Sequence, residues 1–270
     1  ATLSLSIIMA IKSVEKCVSA HSVSKTTCAL LLLAKFPVPG EVKTRLVNGT
    51  KENGLVGLRH AKDRHDRAIG EDMANRMAAQ LYRAFLIDRF RAHRGREYDL
   101  FLGTSQPEHA HAFREITGPD VMYQPAIGSN LGNMMHGIFS SLLRRYRKVI
   151  ISGSDIPWIS EETIERVIKE LGSHEVVLVP ALDGAYNMIG MSEPHNIFAI
   201  KKWSSGSELQ ETIALLRSRN IKHAVLEDSP IMDVDTIEDL WVLLEATPKE
   251  SAHETSEALK VVRAQLKISE

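Results

Sequence analysis

Six charged side chains follow short apolar runs at points where a chain leaves a strand. In "AKFPVPGEVKTRL", residues 34–46, a greasy stretch gives way to Pro37, Pro39 and Gly40, and Lys43 and Arg45 come next. The prolines stiffen the loop and lower the entropy cost of holding it open. Gly40 allows a ligand to approach main-chain N–H groups closely. Lys43 offers a point charge and Arg45 a bidentate fork, the pair that suits phosphate oxygens. The stretch is not a Walker loop, because "PVPGEVKT" lacks the first glycine. The plainer reading is a turn with solvated basic residues, whose removal is expected to cost little stability.

The acidic groups are Asp155 in "GSDIPWI", Asp183 in "VPALDGAY", and Asp233 and Asp235 in "MDVDTIEDL". A carboxylate at the end of a strand can hold a divalent cation such as magnesium, which takes few protein carboxylates and shares substrate phosphates. Each has a plain alternative. Asp155 can bond turn amides, Asp-Gly at 183–184 is a hairpin signal, and an Asp before a helix compensates its dipole. Asp239 reads as a cap of the late helix. Together the two cations and the acids match transfer chemistry on a nucleoside di- or triphosphate, in which cations neutralise developing charge.

These residues need a scaffold that brings loop ends together. After residue 27 apolar runs alternate with amphipathic stretches. Strands are expected at 28–36, 98–105, 148–155, 175–182 and 185–191, and helices at 73–90, 130–148, 160–172 and 233–246. Ser160 reads as a helix cap, and Thr236 with Asp239 as a capping box. Such alternation implies an α/β fold with a mostly parallel sheet covered on both faces. Ligands in such sheets bind at the carboxyl ends of the strands. Residues 48–72, polar and Gly-rich, read as a long loop or insertion, residues 1–27 as a poorly ordered segment or transit peptide, and residues 248–270 as a charged, helical tail after a single domain at 28–247.

Composition limits the partners. The 270 residues carry a net charge of −1, which argues against nucleic acid or an anionic membrane surface as a bulk partner. No apolar run is long enough to span a bilayer. Cys17 and Cys28 make no disulfide framework and fit a reducing, cytoplasmic setting, with organelle targeting by the first segment as the alternative. The histidines show no zinc-ligand spacing, and "HAH" at 109–111 reads as a surface loop. Met73, Met77, Met134 and Met135 read as core filler.

The motifs "AKFPVPGEVKTRL", "QPAIGSNLGNMM", "GSDIPWI", "VPALDGAYNMIGM", "FAIKKWSS" and "DVDTIEDL" occur in an order that resembles the radical-SAM/selenodomain-associated transferase type 1 family, also known as arsenosugar-biosynthesis glycosyltransferases. The resemblance spans residues 29–244. More distantly it is similar to 2-phospho-L-lactate guanylyltransferase and molybdenum cofactor guanylyltransferase. It implies a three-layer, Rossmann-like nucleotide-diphospho-sugar transferase (GT-A) fold. It also implies phosphate binding by Lys35, Gly40, Lys43 and Arg45, and a Mg2+ or Mn2+ ion on Asp155 with Asp235 as second ligand. The chain departs from the family pattern at Asn130, which stands for an acid, and at Ala185, where "DGAY" replaces "DGGY".

The expected activity is transfer of a sugar from a nucleotide-sugar donor to a small-molecule acceptor, with Asp183 as base and Asn130, Tyr186 and Trp203 lining the acceptor pocket. The alternatives are a nucleotidyltransferase that releases pyrophosphate and a nucleotide-binding protein without activity.

Overall fold

The computed structural model describes residues 28–50, 55–62, 67–157, 159–200, 203, 205–227, 232–246 and 252–266. The reading of residues 1–27 lies outside the described residues.

Hydrophobic continuity sets the centre of the sheet. Strand β1 (Cys28–Leu33) is apolar throughout, and its first five residues are no more than 2% exposed. A strand buried on both faces needs a layer on each side. Two short strands follow, β2 (Gly49–Thr50) and β3 (Leu55–Val56), then β4 (Asp99–Thr104), β5 (Met122–Pro125), β6 (Lys148–Gly153), β7 (Val176–Pro180), β8 (Tyr186–Met191) and β9 (His223–Val225). The main sheet has seven strands in the order β5-β4-β1-β6-β8-β7-β9. β1 pairs in parallel with β4 and β6, whereas β8 runs antiparallel between β6 and β7. The mostly parallel α/β sheet expected from the sequence is therefore present.

The helices are α1 (Thr44–Asn48), α2 (Glu71–Ala92), α3 (Ala110–Thr117), α4 (Leu131–Leu142), α5 (Glu161–Glu170), α6 (Glu208–Ser218), α7 (Ile237–Glu245) and α8 (His253–Gln265). Alternate strand residues divide the core. Leu30, Leu32, Ile150 and Val177 pack with Phe85, Phe90, Ile164, Leu240 and Leu259 on one face. Ala29, Leu31, Ile151 and Leu178 pack with Ile138, Phe139, Ile213 and Leu216 on the other. The result is three layers, with α2, α5, α7 and α8 on one side and α4 and α6 on the other. The C-terminal helix shares this core: the buried carboxylate of Asp88 on α2 accepts hydrogen bonds from the Glu254 and Thr255 N–H groups at the start of α8.

Several expectations need correction. The segment 48–72 is not simply a loop. β2 and β3 form a small hairpin, and Leu58 is buried in the following 3-10 turn. A Cβ at Gly57 would lie 2.2 Å from the Val47 carbonyl oxygen, so only glycine lets this segment close against α1. "HAH" at 109–111 ends a 3-10 turn and begins α3, and the His109 ring stacks on Phe36 at 4.5 Å. Met77 and Met135 are core residues, but Met73 is 37% exposed and Met134 only partly buried. Trp241 on α7 and Leu131 on α4 are exposed.

Candidate active site

The loop after β1 is built around Tyr82 of α2. The buried Tyr82 hydroxyl accepts the Lys35 N–H and lies 2.7 Å from the Ser154 hydroxyl at the end of β6. It thus ties the first loop to the loop that carries Asp155. Burial raises the Tyr82 phenol well above its ordinary pKa, so it stays neutral. Gly40 takes a positive φ of 85° in the turn, and Lys43 is one of two non-glycine residues with positive φ among the described residues. Lys43 precedes α1 in the left-handed region, which is uncommon for a long side chain.

That conformation aims the Lys43 ammonium inward. Its side chain is 3% exposed, and Nζ lies 2.8 Å from Asp155 Oδ1 and 3.0 Å from Asp235 Oδ1. Arg45 pairs with the other Asp235 oxygen. The plainer reading of Lys43 as a solvated basic residue does not hold: one buried cation joins two carboxylates. Burial lowers the Lys43 pKa, but Asp155 and Asp235 outweigh it and raise the net value. Burial likewise raises the Asp235 carboxyl, and the charges of Lys43 and Arg45 pull it below the usual carboxylate range.

Local structure fixes Asp235. The Asp239 carboxylate accepts the N–H groups of Asp235 and Thr236 and closes the capping box of α7. The Val234 N–H donates to the Asp155 carbonyl and holds the two acidic loops together. Asp233 is pushed up to about 6 by burial, then by the charges of Asp235 and Asp183.

A cavity of about 570 Å3 lies against these residues at the carboxyl edge of the sheet. Lys35, Lys43, Arg45, Asp155, Asp235, Tyr186 and Trp203 all line it. Gly40 and Asn130 do not. Asn130 is the N-cap of α4, its side chain accepting the Asn133 N–H. Asp183 is an exposed residue of the β7–β8 hairpin turn, where its carboxylate accepts the Ala185 N–H. It does not line the cavity, although its charge reaches Asp233.

Comparison with known proteins agrees with this architecture. The model of the family described as "Uncharacterized protein conserved in bacteria (DUF2064)" matches residues 89–205, a span that includes Asp155 and Trp203 but neither Lys43 nor Asp235. Among solved structures, a candidate nucleotide-diphospho-sugar transferase from Desulfovibrio desulfuricans G20 is 25% identical, with a TM-score of 0.70 over 88% of this chain and 97% of that one. The chain has the nucleotide-diphospho-sugar transferase fold. A cytidylyltransferase from Leptospira borgpetersenii is 12% identical, with a TM-score of 0.48 over 88% of this chain and 94% of its own. Rv0371c from Mycobacterium tuberculosis H37Rv, solved with manganese, is 16% identical, with a TM-score of 0.42 over 82% of this chain and 99% of its own.

Sequence reasoning does not single out Glu208 or Tyr82. Glu208 opens a helix with no strong pattern signal, and Tyr82 lies inside the apolar stripe of α2. A second acidic group, Glu175, Glu193 and His195, lies at the opposite edge of the sheet. There Glu175 is engaged by His195 and by the Lys222 N–H. Among the described residues, no helix is long and apolar enough to cross a membrane.

Proposed function

We propose that this protein is a transferase that uses a nucleotide-activated donor, and that its reaction is transfer of a sugar from a nucleotide sugar to a small acceptor. The observation that carries this reading is the buried Lys43 ammonium held between Asp155 and Asp235 in the wall of a large cavity. The likeness to the D. desulfuricans protein supports it.

Two carboxylate oxygens that already converge on one cation are hard donors, and they fit Mg2+ or Mn2+. Asp155 and Asp235 are the residues that would hold the ion, whose chemistry is to neutralise charge on the leaving diphosphate. Lys35, Lys43 and Arg45 supply the cations for the phosphate oxygens. Tyr82 and Ser154 keep these loops in register. Tyr186 and Trp203 line the acceptor side. Asn130 acts there through its cap on α4.

A second reading is nucleotidyl transfer with release of pyrophosphate. It is favoured by three cations on one loop, since a triphosphate needs more neutralisation than a diphosphate. A screen of nucleoside triphosphates and nucleotide sugars with Mg2+ or Mn2+ tests both readings. Metal-dependent release of a nucleoside diphosphate from a nucleotide sugar supports glycosyl transfer. Pyrophosphate release supports the second reading. Binding without turnover identifies a nucleotide-binding protein without activity.

A further inference from the structure

Glu208 is a buried carboxylate with only one oxygen paired. It begins α6 and is only 2% exposed, yet it lines the cavity. One oxygen, Oε1, accepts the Ser205 N–H at 2.8 Å. The other, Oε2, has no hydrogen-bond partner among the described residues. The buried hydroxyls of Tyr186 and Thr212 lie together beside it and face one another. Thr212 lies one turn along α6 from Glu208, and Tyr186 is close enough to both for each to act on its pKa. Leaving a buried acceptor unpaired costs about 1–3 kcal/mol, and more for a charge. An unpaired carboxylate oxygen in the cavity wall is better explained by a ligand group than by the fold.

We propose that Glu208, Tyr186 and Trp203 form a subsite for the hydroxyl groups of a sugar. This inference rests on the transferase reading above. A carboxylate oxygen can only accept, whereas the tyrosine hydroxyl both donates and accepts. Vicinal sugar hydroxyls, which also do both, match that set. Trp203 adds an aromatic wall. A Cβ on Gly132 would lie 2.9 Å from the Trp203 ring, so the glycine lets the indole close over α4.

Placement agrees with the chemistry. The antiparallel register of β6 and β8 pairs Ser152 with Met188, and continued by two residues it sets Tyr186 beside Ser154. Asp155 is the next residue. Neighbouring strands lie about 4.8 Å apart. A sugar held by Glu208 is therefore close to diphosphate held at Lys43 and Asp155. It can be the sugar of the donor or that of the acceptor.

The test is isothermal titration calorimetry on the full chain in Mn2+, comparing the wild type with Glu208→Gln. Titrants are UDP, GDP, ADP and CDP, the glucose, galactose, mannose and N-acetylglucosamine conjugates of whichever binds, and those free sugars added to the protein saturated with that diphosphate. Glu208→Gln is expected to bind the diphosphate within twofold of the wild type. A tenfold or greater loss for the conjugates assigns the subsite to the donor sugar, and the same loss for free sugar assigns it to the acceptor. Sugar affinities within twofold of the wild type, or no sugar binding by the wild type, overturn the inference and leave the transferase reading intact. If no diphosphate binds the wild type, the transferase reading falls and this inference with it. Should Glu208→Gln not fold, Tyr186→Phe is read by the same criteria.

Discussion

Lys43 Nζ lies 3.0 Å from Asp235 Oδ1, a residue 192 positions further along the chain. The contact joins the loop after the first strand to the loop before α7, and Asp155 completes it from the end of β6. Lys43 therefore has a structural role besides any role toward phosphate.

Replacing Lys43 with Met tests that double role. The change removes the cation, leaving the half-exposed Asp155 without its partner and the mostly buried Asp235 with Arg45 alone. Breaking a fully buried pair costs about 3–5 kcal/mol, and the exposure of Asp155 reduces this to about 1–3 kcal/mol. Urea unfolding should show that loss. Millimolar Mn2+ should restore part of it, because a divalent ion then replaces the missing charge. An unchanged midpoint would show that the pair adds nothing to stability.

Asp88 gives a second test. Its carboxylate, 2% exposed, accepts two N–H groups at the start of α8. Asp88→Ala leaves those donors without their partner and should destabilise the protein by about 1–2 kcal/mol. Hydrogen exchange should rise in residues 253–266 before it rises in the sheet. Uniform exchange across the protein would show that α8 does not open separately.

His93 predicts acid sensitivity. Burial, then the charges of Arg89 and Arg96, lowers its pKa from 6.5 to about 3, and its Nδ1 lies 2.8 Å from the Tyr98 hydroxyl. Between those values the unfolded chain binds a proton that the folded chain refuses. Stability from this group is therefore complete above pH 6.5 and is lost as pH falls toward 3, with a slope approaching about 1.4 kcal/mol per pH unit. His93→Gln should flatten the urea midpoint against pH in that window. An identical pH profile in the variant would contradict the assignment.

The sequence was legible where one local cause sets the structure. The continuous apolar runs of β1 and β6 have no other home than a sheet covered on both faces. Ser160 and the Thr236–Asp239 pair mark α5 and α7, and both caps are present. Elements that lack a strong period were not legible. β5 is short and largely half-exposed, β9 has three residues, and α6 follows a run of serines and glycine. The antiparallel insertion of β8 depends on the Asp183–Gly184 turn, which the sequence marks as a hairpin but does not place in the sheet. The sequence marks Lys43 and Arg45 as loop cations, and both line the cavity. Their pairing with Asp155 and Asp235 was not visible, because it depends on a positive φ at Lys43 and on contacts between distant loops. Asn130 reads as a pocket residue, but its spacing to Asn133 is that of an N-cap.

The most direct test is calorimetric titration of the four common nucleoside diphosphates into the wild type and Asp155→Asn, each in Mn2+ and in EDTA. Asp155 is 46% exposed at its side chain, so the variant should keep its fold. At least one diphosphate should bind the wild type tenfold or more tightly in Mn2+ than in EDTA, and Asp155→Asn should lose that gain. A variant that retains the full Mn2+-dependent gain would contradict the placement of nucleotide and metal at Lys43, Asp155 and Asp235.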